Sequence, residues 1–352
     1  MTASKPANVS VAVCYAGTVG VRVIELIAAR SDLKLVGVMV RDPAKSSVDA
    51  GVLAGIGPVG VAATTDISDI VAARPDCAIW AGKGWQPDEL CVLLRAGISV
   101  YTPVGAWYLP GDPDFSVVDE AGRTGGATLV GGGSIPGLVS DVLRLFMSGY
   151  VGRLRMVRTW QSNLIGDYPS AEQLRTGLGF GAAIPPMAST TSDPRDQRWI
   201  RYISQSARMI ADAVGFEFAA VELTAKQFAA APRDITLPNG MCIPKGTTAG
   251  VRWEFTGATS SGEHFYSLTK EQVAVAGLGP TWRSSADEPQ WRVEIEGTPS
   301  LRCEVTPMAD GGFGETTAEP NAARAVNLVP RIVAAEPGCR SVLDFAAPVG
   351  TR

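Results

Sequence analysis

Residues Val9 to Gly20 read as a buried strand, a glycine turn and the start of a helix. A helix that begins where a strand ends offers free backbone N–H groups and the positive end of its dipole. That arrangement suits the pyrophosphate of a dinucleotide. The G-x-G-x-x-G pattern of such turns is met in part. Gly17 and Gly20 hold the second and third places, and Tyr15 holds the first. Two glycines after a strand are a weak sign in isolation, so the weight falls on the residues beyond Gly20.

Those residues alternate between helix and strand patterns. Val19, Val23, Ile24 and Ile27 form the apolar stripe of a helix from Thr18 to about Arg30, and Leu33 to Val40 is a nearly continuous apolar run. Cys77–Ala81, Ile98–Thr102 and Thr128–Val130 read as further buried strands. Helices over Ile67–Ala73, Pro87–Arg95 and Phe115–Arg123 separate them, with Gly97 closing the second. After Gly131–Gly137 a helix is expected to about Met147. Strand and helix in strict alternation predict a doubly wound parallel sheet of the Rossmann type, class α/β.

The end of the second strand bears on cofactor choice. An acidic residue about 20 positions past the glycines bonds the ribose 2′-hydroxyl of NAD. Here that place, 21 residues past Gly20, is Arg41. Lys45, Ser46 and Ser47 come soon after, a set that suits a 2′-phosphate. NADP(H) is therefore favoured over NAD(H), and Asp42 leaves room for dual use. Gly17, Thr18, Val19 and Gly20 are expected at the pyrophosphate, and Arg41 and Lys45 at the 2′-phosphate. Ala81, Gly82 and Lys83 are expected on the adenosine side, and Thr102, Pro103 and Ser134 beside the nicotinamide.

The pattern changes after Gly152. Leu154–Trp160 reads as a strand, and Pro169–Leu178 as a helix capped by Ser170. A long polar stretch to Gln197 precedes an amphipathic helix, Trp199–Val214. Five strand-like runs come next without helices between them: Phe218–Leu223, Ala249–Thr256, Glu263–Thr269, Trp291–Glu296 and Leu301–Val305. They predict a largely antiparallel sheet in an α+β domain, open on one face. An open face is suited to a second copy of the chain, hence a homodimer. The expected divisions are residues 1–150 for nucleotide binding, 151–320 for substrate and dimerisation, and 321–352 as a helix and tail returning to the first domain.

Composition removes several classes of function. Net charge is −4 with no basic block, so a nucleic-acid partner is not expected. No apolar run approaches the roughly 20 residues that span a bilayer, so neither is a membrane. The apolar N-terminal segment carries the glycine turn and reads as structure rather than a signal peptide. The six cysteines are isolated, with no C-x-x-C, as in a reducing cytoplasm. The single histidine, His264, lies in an alternating run and removes any His-based metal cluster. No metal is expected.

Gly17–Gly20, Asp42–Lys45, Pro58–Thr64, Gly131–Gly137, Tyr168–Ser170, Glu294–Leu301 and Asn327–Pro330 together resemble the dihydrodipicolinate reductase-like oxidoreductases of actinobacteria. That group includes native amine dehydrogenases and 2,4-diaminopentanoate dehydrogenases. The resemblance covers nearly the whole chain. It implies NAD(P)-dependent chemistry at a C=N or C–N bond, a substrate held between two domains, and homodimers. Amine dehydrogenases of this group carry a glutamate after the strand corresponding to Ile98–Thr102, placed to bind the substrate amine. Here Pro103–Pro110 has no acidic residue, and Gly105 and Ala106 stand near that place. Either the chemistry is not that of an amine, or the task passes to Asp167 or Asp141. The histidine-rich segment of the lysine-pathway reductase is also missing, so that reaction is not expected.

Asp167 and Tyr168 are the candidate catalytic pair, one to stabilise a cationic acceptor and one to donate a proton. Trp107, Tyr108 and Trp160 are candidate substrate contacts, matched to a small, largely apolar ketone or amine. The leading expectation is an amine dehydrogenase-like enzyme that aminates ketones or aldehydes with ammonia and runs in reverse. A carbonyl or imine reductase of the same fold, and an NADP-binding sensor without turnover, stay open.

Overall fold

The computed structural model describes residues 8–82, 84–133, 137–185, 193–285, 288–308, 312 and 314–345. In chain order the first part runs β1 (Val9–Cys14), α1 (Thr18–Ala28), β2 (Leu33–Met39), α2 (Ala50–Ala54), β3 (Ala63–Thr64), α3 (Ile67–Ala73), β4 (Cys77–Trp80), α4 (Pro87–Arg95), β5 (Ser99–Thr102), α5 (Phe115–Gly125) and β6 (Thr128–Gly131). A π-helical turn, Leu138–Val142, leads into α6 (Leu143–Ser148). Then come β7 (Met156–Leu164), α7 (Ala171–Leu178), α8 (Pro194–Val214), β8 (Phe218–Ala230), β9 (Ile235–Thr236), β10 (Cys242–Ile243), β11 (Thr248–Thr259), β12 (His264–Val273), β13 (Trp291–Glu296) and β14 (Leu301–Val305). The chain closes with α9 (Glu319–Val333) and β15 (Gly338–Arg340). Two compact units result: Met1–Gly137 with Thr317–Arg352, and Leu138–Thr316.

The first unit holds a seven-stranded sheet in the order β15-β6-β5-β4-β1-β2-β3, parallel throughout. This is the expected doubly wound sheet. Its strands read as unbroken apolar runs because both faces are covered. One face packs Val23, Ile24 and Ile27 of α1 together with Ala322, Val326, Val329 and Ile332 of α9. The other packs Leu90, Leu93 and Leu94 of α4 with Val118 and Ala121 of α5. β1 lies between β2 and β4, so strand order reverses there. Loops at the carboxyl ends of β1 and β4 flank that switch point, where such sheets bind ligands.

The second unit holds a six-stranded sheet in the order β14-β13-β7-β12-β11-β8, antiparallel except where β12 runs parallel to β7. The exception comes from connectivity. The chain leaves β7 through two helices, enters again at the β8 edge and returns inward by β11 and β12. That gives β7 and β12 the same direction. α8 begins at Pro194, five residues before the expected Trp199, because Asp193 caps it through Arg195 N–H and Pro194 fills the first helical position. Trp291–Glu296 and Leu301–Val305 form strands at the expected bounds. No described helix is long and apolar enough to cross a membrane.

The two faces of this sheet differ. Lys226, Trp253, Lys270, Gln161 and Trp291 stand in register across one face, which α8 covers through Asp196 and Trp199. The other face carries Trp160 under the Arg292 guanidinium, 5.4 Å from its ring centroid. Around it lie the exposed pairs Arg158–Glu296 at 2.9 Å and Arg292–Glu304 at 3.2 Å.

Candidate functional site

In the first unit a cleft of about 340 Å³ opens at the switch point, lined by Tyr15, Ala16, Gly17, Val40, Arg41, Asp42, Lys45 and Ala81. Its floor is the turn between β1 and α1. Tyr15 has φ +77°, the left-handed conformation that glycine normally supplies. The turn therefore keeps its tight shape without a first glycine, and the aromatic ring is delivered to the cleft wall. Trp80 holds the ring edge-on at 5.0 Å.

The other two glycines have distinct reasons. Gly17 precedes the first turn of α1 and has nothing within 4 Å of where a Cβ would stand. That leaves open space before the N–H groups of Thr18, Val19 and Gly20, which have no partners inside the helix. At Gly20 a Cβ would overlap the Tyr15 carbonyl oxygen. Gly20 thus lets the helix pack against the turn.

Arg41 and Lys45 both border the cleft. The Arg41 guanidinium lies over the Tyr15 ring, 5.1 Å from its centroid. The Asp42 carboxylate is turned to local work, accepting the Ala44 N–H at 3.0 Å and capping the single 3₁₀ turn Pro43–Lys45. Asp42 borders the same cleft as the two cations. At the end of β4, Ala81 donates its N–H to the Cys14 carbonyl at 2.9 Å. A Cβ on Gly82 would crowd Trp80 Nε1 at 2.9 Å, Gln86 Oε1 at 3.0 Å and Tyr15 Cδ2 at 3.2 Å. Trp80 Nε1 and Gln86 Oε1 are buried with no hydrogen-bond partner among the described residues. An open glycine turn, two cations and these two unsatisfied polar atoms fit a dinucleotide.

The loop after β5 is closely packed. Thr102 is buried, and its hydroxyl is spent within the turn, donating to the Val104 carbonyl and accepting the Val104 N–H, each at 3.1 Å. Pro103 is half-buried beside it. Trp107 is buried and Tyr108 half-buried. The loop lies so close to β6 that a Cβ on Gly131 would overlap the Ala106 carbonyl. Lys83 and Ser134 lie outside the described residues.

In the second unit, Asp167 is exposed and sits against Gly312, where any Cβ would overlap its carboxylate. Tyr168 donates its hydroxyl proton to Gln173 Oε1 of α7, and burial pushes its pKa up. Its backbone carbonyl accepts the Asn239 side-chain N–H at 2.8 Å. Asp167 and Tyr168 are thus neighbours, whereas Trp160 lies on the face of the sheet opposite the one that α8 covers. Asp141 is buried in the π-helical turn. His264 is exposed at the start of β12.

Sequence reasoning missed Lys270. Its side chain is 5% exposed and its ammonium lies 3.3 Å from Gln161 Oε1 and 4.5 Å from the Trp199 ring centroid. Burial pushes its pKa down to about 7. The signal was present: Tyr266, Leu268 and Lys270 succeed one another at period two in β12, so the lysine had to point inward with them.

The comparisons with known proteins agree with this construction. Residues 9–80 match the family described as dihydrodipicolinate reductase, N-terminus, and residues 188–351 match the 2,4-diaminopentanoate dehydrogenase C-terminal domain. The chain is 31% identical to an amine dehydrogenase of Streptomyces virginiae, over 96% of each chain. It is 23% identical to a 2,4-diaminopentanoate dehydrogenase of Acetoanaerobium sticklandii, over 66% of this chain and 61% of that one. In fold it is similar to the amine dehydrogenase of Mycobacterium smegmatis, with a TM-score of 0.80 at 19% identity over 97% of each chain. The full-length likeness and the two family matches together make this chain a member of the amine dehydrogenase and 2,4-diaminopentanoate dehydrogenase family, and an NAD(P)-dependent dehydrogenase.

Proposed function

We propose that this protein catalyses the NADPH-dependent amination of small ketones or aldehydes with ammonia, and the reverse deamination. The observation that carries the reading is the full-length likeness to an amine dehydrogenase. Its cofactor half is supported by Arg41 and Lys45 at the cleft, with Asp42 occupied as a cap. When bound, the reduced nicotinamide supplies a hydride, and the chain must orient the acceptor, exclude water and manage one proton. The balance is R₂C=O + NH₃ + NADPH + H⁺ giving R₂CH–NH₂ + NADP⁺ + H₂O.

Gly17, Thr18, Val19 and Gly20 hold the pyrophosphate through backbone N–H groups, and Arg41 and Lys45 hold the 2′-phosphate. Ala81 and Gly82 border the adenosine. In the second unit Asp167 stabilises positive charge on the substrate nitrogen, and the Tyr168 hydroxyl, kept protonated by burial, is a hydrogen-bond donor. Trp107 and Tyr108 supply apolar substrate surface. Trp160, expected as a substrate contact, stacks under Arg292 among exposed ion pairs on the sheet face away from α8, which supports a role for that face in a homodimer. A cytoplasmic location fits the six unpaired cysteines.

A carbonyl reductase is the second reading. The lack of any carboxylate in Pro103–Pro110 favours it, since a cationic imine needs nearby negative charge. One assay separates the readings. Cofactor oxidation is followed over a panel of ketones and aldehydes, with and without ammonium. Ammonium-dependent oxidation is expected. Oxidation that ignores ammonium would establish the carbonyl reductase, and cofactor binding without any turnover would establish a sensor.

A further inference from the structure

Lys226 and Lys270 stand in one row of the helix-covered face, on either side of Trp253. The first is a fully compensated buried cation. Its ammonium meets both oxygens of Asp196 at 2.8 Å and Asp193 at 3.4 Å. Asp196 also accepts the Trp253 indole N–H at 2.9 Å. Among the described residues the second has no carboxylate partner. From β7 it meets the neutral amide of Gln161, from β11 it is flanked by Trp253, and from α8 it is covered by Trp199. The charged groups of that row, Lys226 with Asp196 and Asp193, are paired with one another beyond Trp253. Glu271, next along β12, points to the opposite face and is held by Arg252 and Ser162.

A lysine buried for structural reasons is paired, as Lys226 is, because an uncompensated ammonium is costly to desolvate. Three N–H bonds with one amide acceptor and one aromatic face leave donor capacity unspent. The cover, Trp199, is itself half-buried. Resting on the amination reading, we infer that Lys270 is the catalytic proton donor of the second unit, meeting the substrate's oxygen. Its step is dehydration of the carbinolamine. An Nζ–H bond breaks and an O–H bond forms on the hydroxyl. The C–O bond breaks with its electron pair, water leaves, and the nitrogen lone pair closes the C=N bond. Lys270 is left neutral and regains a proton from solvent. An amine whose pKa burial brings to about 7 can do both at neutral pH.

The test uses the whole chain with Lys270→Met and Lys270→Arg. Three readouts are taken: NADPH binding by fluorescence, melting temperature, and the pH profile of kcat/KM for ketone with ammonium. Lys270→Met is expected to bind NADPH as the wild type does, to melt higher, and to lose about 10²–10⁴-fold in kcat/KM. The wild-type limb near pH 7 should vanish in both variants. If Lys270→Met does not fold, Lys270→Arg carries the test, since arginine stays charged across the range. A limb that survives the substitutions, or a Lys270→Met variant within a few-fold of wild type, would overturn the assignment alone. A wild type that turns over no ketone or aldehyde overturns the amination reading and this assignment with it.

Discussion

The guanidinium of Arg41 lies over the ring of Tyr15, 5.1 Å from its centroid, at the mouth of the cofactor cleft. The ring supports the cation by cation–π attraction and keeps it at the cleft wall, and on the proposed reading it meets the ribose 2′-phosphate there. Arg41→Asp should lower NADPH affinity by about 10- to 100-fold, the loss of one charge-assisted hydrogen bond of roughly 1.5–3 kcal/mol. NADH affinity should change only a few-fold. Calorimetric titration with both cofactors checks this, and equal losses for the two would remove the 2′-phosphate role.

Tyr15 should matter through its ring and not its hydroxyl. Tyr15→Phe should keep the preference for NADPH. Tyr15→Gly relieves left-handed strain of about 1–2 kcal/mol and so should not destabilise the fold much, yet it removes the shelf beneath Arg41. The ratio of NADPH to NADH affinity should fall in that variant, measured by the same titrations. An unchanged ratio would show that Arg41 needs no support.

Gly20 lies where helix and turn touch. Gly20→Ala places a Cβ on the Tyr15 carbonyl, and the backbone must shift to admit it. A stability loss of about 1–3 kcal/mol, the usual cost of overpacking, is expected in urea denaturation. Loss of binding for both cofactors should accompany it. A variant as stable as the wild type would mean the turn yields easily.

The two buried lysines should respond oppositely. Asp196→Asn leaves the Lys226 ammonium with Asp193, 3.4 Å away, as its one carboxylate among the described residues and should cost up to about 3 kcal/mol. Lys270→Met removes a buried amine that has no counter-ion among the described residues, and it should raise stability. The pH dependence comes from the lowered Lys270 pKa. Below about pH 7 the amine is charged in both folded and unfolded chains, so its penalty is full and constant. Between about 7 and about 10.4 the unfolded chain binds the proton and the folded chain does not. Stability from this group therefore rises with pH across that window, by up to about 1.4 kcal/mol per unit. Urea midpoints from pH 6 to 9 should rise relative to those of Lys270→Met, and parallel curves would contradict it.

Much of this was legible in the sequence, and the reasons are local. Unbroken apolar runs such as Cys77–Trp80 belong to strands covered on both faces, and alternation in Trp291–Glu296 belongs to a half-open one. Those patterns depend only on which face is buried. The parallel pairing of β7 with β12 depends on where the chain re-enters the sheet, and no residue pattern encodes that. The α8 start was written in Asp193-Pro194 but is easily read as loop, because the preceding stretch is rich in proline and serine. At the site, Gly17, Gly20, Arg41 and Lys45 are legible because turn geometry and charge type act through neighbours in sequence. Lys270 takes its character from Gln161 and Trp199, distant in sequence and joined to it only by sheet register and helix packing. The left-handed conformation of Tyr15 likewise appears only once Trp80 and Arg41 are seen to hold its ring.

Amination requires that nitrogen from ammonia enter the product. The direct measurement is to incubate the protein with NADPH, an accepted ketone and ¹⁵N-labelled ammonium, and to analyse the product by mass spectrometry and NMR. The expected result is an amine carrying ¹⁵N in one-to-one proportion with NADPH consumed. An unlabelled alcohol formed in the same proportion would contradict it.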